Sequence, residues 1–330
     1  MRNILITGGA GFIGSHVVHL HLEKGDQVWV IDNLQSGRLQ NIKPFQENAN
    51  FRFDQADIRD WDGLLEAVLW SDYIYHMAAV IGQYQVIQKP IETLENNIMG
   101  CQKILSALGH AKKPTRLLLA STSSLYLHSA AEKDHTYKET ALISFPSGAY
   151  IQEDYPLGKL VDEVLCLAHM NEKKIDFVSA RLFNSIGVNQ SSRYGMVVPR
   201  FVEQALKNEP ITVYGNGLQS RSFSDVRDTV AALNLLLEAP KTKGEMINVG
   251  CDKECTILDL AHLVRKKTKS ESEIIFVPYR EAYGIDFIDV QRRKPNLEKL
   301  KRLTGFKPKW TLEDTIDDII ASYSTASVKH

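Results

Sequence analysis

The sequence predicts an α/β fold, a parallel sheet wound on both faces by helices, with a smaller α/β lobe in the C-terminal half. Two observations carry this. Through about residue 181, short apolar runs that stop at glycine or small polar residues alternate with segments at helical spacing. Beyond that point the alternation breaks down and the strands become short and scattered. The expected division is therefore 1–181 for the large domain and 182–330 for a substrate-binding lobe that returns some segments to it.

Composition sets the bounds. The chain has 330 residues, 44% hydrophobic and 24% charged, enough to bury a large core. A net charge of −1 gives no electrostatic case for nucleic acid or an anionic membrane. Cys101, Cys166, Cys251 and Cys255 lack the spacing of a zinc site, and no metal is expected. The start of the chain does not read as a signal peptide, and no run of ~18 apolar residues is present. A cytoplasmic protein is expected.

Asn3 to Thr7 is an apolar run stopped by glycine, a buried parallel strand. Gly8, Gly11 and Gly14 follow and open a helix through about Lys24, with Phe12 and Ile13 between them. Strand, glycine trio and helix start form a phosphate cradle: a tight turn, close backbone approach, and N–H groups at a helix N-terminus. The expected large domain is thus Rossmann-type, and a dinucleotide its ligand. The next strand ends in Asp32-Asn33, about twenty residues on, where a carboxylate accepts hydrogen bonds from a ribose and repels a 2′-phosphate. That favours NAD over NADP. Leu34 to Gly37, including Ser36, then Arg38, reads as a loop on the cofactor side. Phe51 to Phe53 is a third strand, followed by Asp57-Ile58 at the adenine edge. Asp72 to Tyr75 leads into His76, read as a packed core histidine, and Met77-Ala78-Ala79, small enough for close cofactor approach.

Ile91, Leu94, Ile98, Cys101, Ile104 and Leu108 recur at helical spacing, with Asn97 and Gly100 among them. Arg116 to Ala120 is a buried strand ending in Ser121-Thr122-Ser123-Ser124, a cluster of hydroxyls where ligands sit in open α/β sheets. Leu127 to Glu153 reads as loop. Tyr155 and Lys159 then lie one turn apart on a helix running to about Met170, expected to bury Leu160, Val161, Val164, Leu165 and Ala168. A nearby ammonium favours the phenolate, so this pair supplies a phenolic acid/base. Ile175 to Ala180 is the next strand. Segments 197–208 and 226–239 read as helices, 211–214 and 274–277 as strands, and a last helix follows Trp310.

These motifs, in this order, resemble those of the extended short-chain dehydrogenase/reductases of the NAD-dependent sugar-nucleotide epimerase/dehydratase group. The matching segments are Thr7 to Gly14, Asp32-Asn33, Asp57-Ile58, His76-x-Ala78-Ala79, Asn97-x-x-Gly100, Ser121-Thr122-Ser123, Tyr155-x-x-x-Lys159, Arg181-x-Phe183-Asn184-x-x-Gly187, Pro199-Arg200-Phe201, Tyr214 to Phe223, and Arg292-Arg293-Lys294-Pro295. The resemblance implies a homodimer, with NAD as cofactor and a nucleoside-diphosphate sugar as substrate. It implies that Tyr155 is the acid/base, that Lys159 binds the nicotinamide ribose, and that Thr122 holds the sugar hydroxyl being oxidised. Asn97, Ser121 and Phe183 are implied on the cofactor side, and Ser123, Ser124, Asn184, Val197, Tyr214, Arg221 and Arg293 on the substrate side.

Relatives that dehydrate or decarboxylate carry a glutamate two places after the threonine, where this chain has Ser124. Serine cannot replace that base. The expected reaction is 4-epimerisation of a UDP-hexose through a 4-keto intermediate. UDP-glucuronate decarboxylation is the alternative, since Arg293-Lys294-Pro295 resembles the decarboxylases; a 4,6-dehydratase and a non-catalytic NAD-binding protein come after it. Leu127 and Val188 depart from the glycine and proline of the pattern.

Overall fold

The computed structural model describes residues 1–132, 135–146, 153–284 and 289–327. Seven strands form its main sheet, in the order Met246–Val249, Asp176–Leu182, Arg116–Thr122, Tyr73–His76, Asn3–Thr7, Gln27–Asp32, Phe51–Gln55. Every pairing is parallel. Helices cover both faces, so the inner strands are apolar throughout: Ile4, Leu5, Ile6, Leu117, Leu118 and Leu119 are fully buried. This is a Rossmann-type fold. The chain starts at the sheet centre, runs out to Phe51–Gln55, then returns to Tyr73–His76 on the other side of the first strand. The crevice at that reversal, beyond the strand C-termini, is where such sheets bind ligands.

One face packs on the helices Phe12–Glu23 and Val226–Glu238, the other on Leu64–Trp70, Pro90–Leu108 and Asp154–Lys173. The last of these corrects the sequence reading. Its buried face carries Lys159, Asp162, Glu163 and Cys166, while Val164 is 56% exposed and Ala168 lies in solvent. Charge pairing explains the inversion. Glu163 takes Arg181 Nε at 3.0 Å and Nη2 at 2.8 Å, and also accepts from Ser179. A buried bidentate pair of this kind fixes the helix on the strand more specifically than valine packing can.

The lobe centres on Ser220–Asp225. It pairs antiparallel with Glu254–Thr256 and parallel with Arg292–Pro295 and Asn184–Ile186. Ile211–Tyr214 and Ile274–Val277 form a separate parallel pair. The helices Val197–Leu206, Ile257–Thr268 and Leu312–Ser327 share one apolar core with these strands. In the segment read as loop, Thr136–Tyr137 is a short strand, and residues 133–134 and 147–152 lie outside the described residues. Among the described residues no helix is long and apolar enough to cross a membrane.

Candidate active site

Two cavities meet at the sheet's C-terminal edge. The first, ≈ 220 Å³, runs over the glycine turn; the second, ≈ 370 Å³, opens toward the lobe. Tyr155, Ser121, Phe12, Ile13, Leu182 and Met196 line both, so Tyr155 stands at their junction.

The glycines make the first cavity. Gly8 has φ +73°, and a Cβ there would meet the Ala78 nitrogen at 2.6 Å. A Cβ on Gly14 would lie 2.2 Å from the Gly8 carbonyl oxygen. The turn and the helix start touch backbone to backbone, which only hydrogen side chains permit. Asp32 ends the second strand with its carboxylate accepting N–H groups of Ala10 and Leu34 at 2.9 and 2.8 Å. Burial pushes it above the usual carboxylate range, against those two bonds. Gly11, Asn33, Ser36, Ile58, Met77, Ala78 and Ala79 also face this cavity. Asp57 does too, paired with Arg59 through Nε at 2.9 Å and Nη2 at 2.8 Å, which pulls its carboxyl down to about 2. Gly37 packs against the Asp32 carboxylate. Asn97 lines neither cavity; its amide clamps the Val80 backbone, accepting at 2.8 Å and donating at 3.3 Å. It shapes the wall from behind.

Ser121 Oγ is buried at the junction without a hydrogen-bond partner among the described residues. An unpartnered buried hydroxyl on a residue that lines both cavities, a glycine cradle that a methyl would fill, and a carboxylate at the end of the second strand together fit an extended dinucleotide.

Thr122 stands beside Tyr155, and its Oγ1 accepts the Ser124 N–H at 3.1 Å. Burial raises the Tyr155 phenol above its ordinary value; Lys159 and Thr122 lower it, and Asp162 adds to the rise. The spacing alone predicts a lowered phenol, because it shows the lysine and neither the enclosure nor Asp162. Lys159 is 1% exposed and lines the first cavity. His76 is a core histidine as expected, with Nδ1 2.8 Å from Thr7 Oγ1. Burial, with Lys159 nearby, drops it to about 3.

Thr122, Ser123, Ser124, Phe183, Asn184, Val197, Tyr214, Arg221 and Arg293 line the second cavity. Phe183 thus faces the lobe side. Arg221 and Arg293 are register partners on adjacent strands. Arg293 reaches Asn184 Oδ1 at 2.9 Å with Nη2, its Nε has no hydrogen-bond partner among the described residues, and burial beside Arg221 pulls it down to about 10. Arg221 is anchored on the carbonyls of Ser220 and Val290, both at 2.7 Å, and on Asp289. Tyr214 carries the Arg200 guanidinium 3.8 Å above its ring and meets Tyr283 edge-on. Arg59, Gln190, Met196, Tyr279, Tyr283 and Asp289 also line the cavities and belong to none of the sequence motifs. Of these only Arg59, two residues from Asp57, had a local signal.

Fold and site together define a dinucleotide-dependent enzyme with a tyrosine, Tyr155, at the junction of two cavities. The model of the NAD dependent epimerase/dehydratase family matches residues 4–250, and the chain belongs to that family. NAD is its cofactor. The chain is 35% identical over 325 residues to UDP-glucuronic acid decarboxylase 1 of Danio rerio, covering 98% of this chain and 73% of that protein. It is 32% identical to UDP-N-acetyl-alpha-D-glucosaminuronate decarboxylase of Bacillus cytotoxicus, covering 97% of each. Among solved structures, the UDP-glucuronic acid 4-epimerase of Bacillus cereus, in complex with UDP-glucuronic acid and NAD, superposes with a TM-score of 0.86 at 28% identity, covering 98% of this chain and 99% of that one.

Proposed function

We propose that the protein catalyses 4-epimerisation of a nucleoside-diphosphate sugar, a UDP-linked six-carbon sugar. NAD, which the glycine turn and Asp32 would hold, would supply the acceptor and the donor for the C4 hydride, by way of a 4-keto sugar. Tyr155 takes the C4 hydroxyl proton at Oη and gives it back after the sugar has turned over. Thr122, beside Tyr155, holds that hydroxyl. Lys159 stabilises the phenolate from one helical turn away. Arg293, its buried Nε without a hydrogen-bond partner among the described residues, binds the diphosphate beside Arg221. Tyr214 flanks the base.

The observation that carries this reading is the absence of a base on the sugar side. Among the described residues lining the second cavity the single carboxylate is Asp289, held by Arg221 and by the Tyr279 hydroxyl at 2.7 Å. Ser124 stands where dehydration needs a carboxylate, so elimination across C5 and C6 lacks its base, and a 4-keto hexose without a C6 carboxylate is left with re-reduction. The second reading, decarboxylation of UDP-glucuronate, draws on the names of the decarboxylase relatives and on the Arg293-Lys294-Pro295 strand. A uronate oxidised at C4 is a β-keto acid and can lose CO2 without a further base. The exposed apolar stripe of Leu157 and Val164, near Ile91 and Met99 on the neighbouring helix, fits cover by a second copy. A cytoplasmic homodimer belongs to the same proposal.

Replacing Tyr155 with Phe tests the catalyst. Turnover of every accepted sugar nucleotide falls by about 10²–10⁴-fold while NAD stays bound. Unchanged turnover removes Tyr155 from the role.

A further inference from the structure

The helix that carries Tyr155 also carries a carboxylate that the reaction does not require. Asp162 is fully buried, and its Oδ2 lies 3.3 Å from Lys159 Nζ, itself 1% exposed. No other acceptor within hydrogen-bond distance of that ammonium is recorded among the described residues. Asp162 Oδ1 has no hydrogen-bond partner among them, and besides Lys159 the side chain next to this carboxylate is the Cys101 thiol. An interior ammonium needs a counter-ion, and one acceptor in a dry site fixes where it points.

We propose that Asp162 is a positioning residue for the acid/base pair, holding the Lys159 ammonium toward the cofactor cavity and setting the pH at which Tyr155 ionises. This role rests on Tyr155 and Lys159 being the proposed acid/base pair. Lys159 favours the Tyr155 phenolate, and Asp162, one turn further on, offsets that cation. The other titratable groups facing the pair are Cys101 from the helix Pro90–Leu108, His76 from the sheet, and Glu163 and Cys166 on the same helix. His76 is neutral above about 3, and Glu163 is committed to Arg181. Both thiols are buried. Asp162 is therefore the anion that acts directly on Lys159. Burial pulls the Lys159 ammonium down, but Asp162 and Tyr155 outweigh it and the lysine stays charged.

The test uses the NAD-loaded protein and no substrate, so it stands or falls separately from the epimerase reading. Phenolate absorbance is titrated in the wild type and in Asp162→Asn, each against the same protein with Tyr155→Phe, which isolates Tyr155. Asparagine keeps an oxygen for Lys159 and removes the charge, so the Tyr155 midpoint drops by about one pH unit. Asp162→Ala serves as the second variant. It shows the same drop and loses NAD affinity about tenfold or more, while Asp162→Asn restores affinity to near wild type. A Tyr155 midpoint that stays in place in whichever variant folds overturns the electrostatic role. Equal NAD affinity in Ala, Asn and wild type overturns the positioning role.

Discussion

Gly14→Ala puts the cofactor cradle to a quantitative test. The added methyl would sit 2.2 Å from the Gly8 carbonyl oxygen, 2.8 Å from Gly9 Cα and 3.0 Å from the Gly8 carbonyl carbon. All three neighbours are backbone, so no side chain can swing aside. Restoring ordinary contact requires the turn and the helix start to part by about 1 Å. Overpacking of this kind costs about 1–3 kcal/mol. Without ligand the turn can relax outward and escape much of that cost. With NAD bound it must return, because the same backbone approaches the pyrophosphate. The cost therefore appears as affinity, about 5–150-fold at ~1.4 kcal/mol per tenfold. Calorimetric titration of stripped protein with NAD reads it, and thermal unfolding in saturating NAD shows a smaller ligand-induced rise. An NAD affinity within about twofold of wild type, with unchanged unfolding temperature, would refute the claim that this backbone contact shapes the cofactor site.

Two predictions concern the frame around the acid/base pair. Glu163→Ala leaves Arg181 buried and uncompensated, and urea unfolding should show a loss of about 3–5 kcal/mol; an unmoved midpoint contradicts the pairing as the helix anchor. His76 bears on pH. Its folded value of about 3 lies below the ordinary 6.5, so the unfolded chain binds the extra proton between them. Stability from this group is full above about pH 6.5 and declines as pH falls, by about 2 kcal/mol at pH 5. His76→Asn keeps a polar partner for Thr7 and does not titrate, so its unfolding free energy should fall less between pH 6.5 and 5 than that of the wild type. Parallel slopes would show that His76 is not neutral in the core.

The sheet was legible because a strand buried on both faces must be apolar along its length, and Ile4 to Ile6 or Leu117 to Leu119 have no other use. The glycine turn and Asp32 were legible because each residue type is demanded by geometry. The lobe was not. Ser220–Asp225 is buried at every residue, yet reads Ser-Arg-Ser-Phe-Ser-Asp. Several of its polar groups are satisfied by distant partners, among them Val290, Glu254 and Thr315, which no local pattern reveals. Met246–Val249 joins the main sheet beside Asp176–Leu182, a pairing some seventy residues apart that hydropathy cannot signal. The helix Ile257–Thr268 was missed despite a readable signature: Thr256 caps the Asp259 N–H at 3.0 Å, and Ile257, Leu260, Ala261 and Val264 bury one stripe. The Tyr155 helix misled for the opposite reason. An apolar stripe suggested the inner face, but paired charges hold that face and leave Val164 and Ala168 outside.

Proton NMR of the products from UDP-glucose, UDP-N-acetylglucosamine and UDP-glucuronate, each incubated with the NAD-loaded enzyme, tests the central claim most directly. The account predicts that one of these sugars is converted to its C4 epimer, with no CO2 released and no net NADH formed. A UDP-pentose with release of CO2, or a 4-keto-6-deoxy sugar, would contradict it.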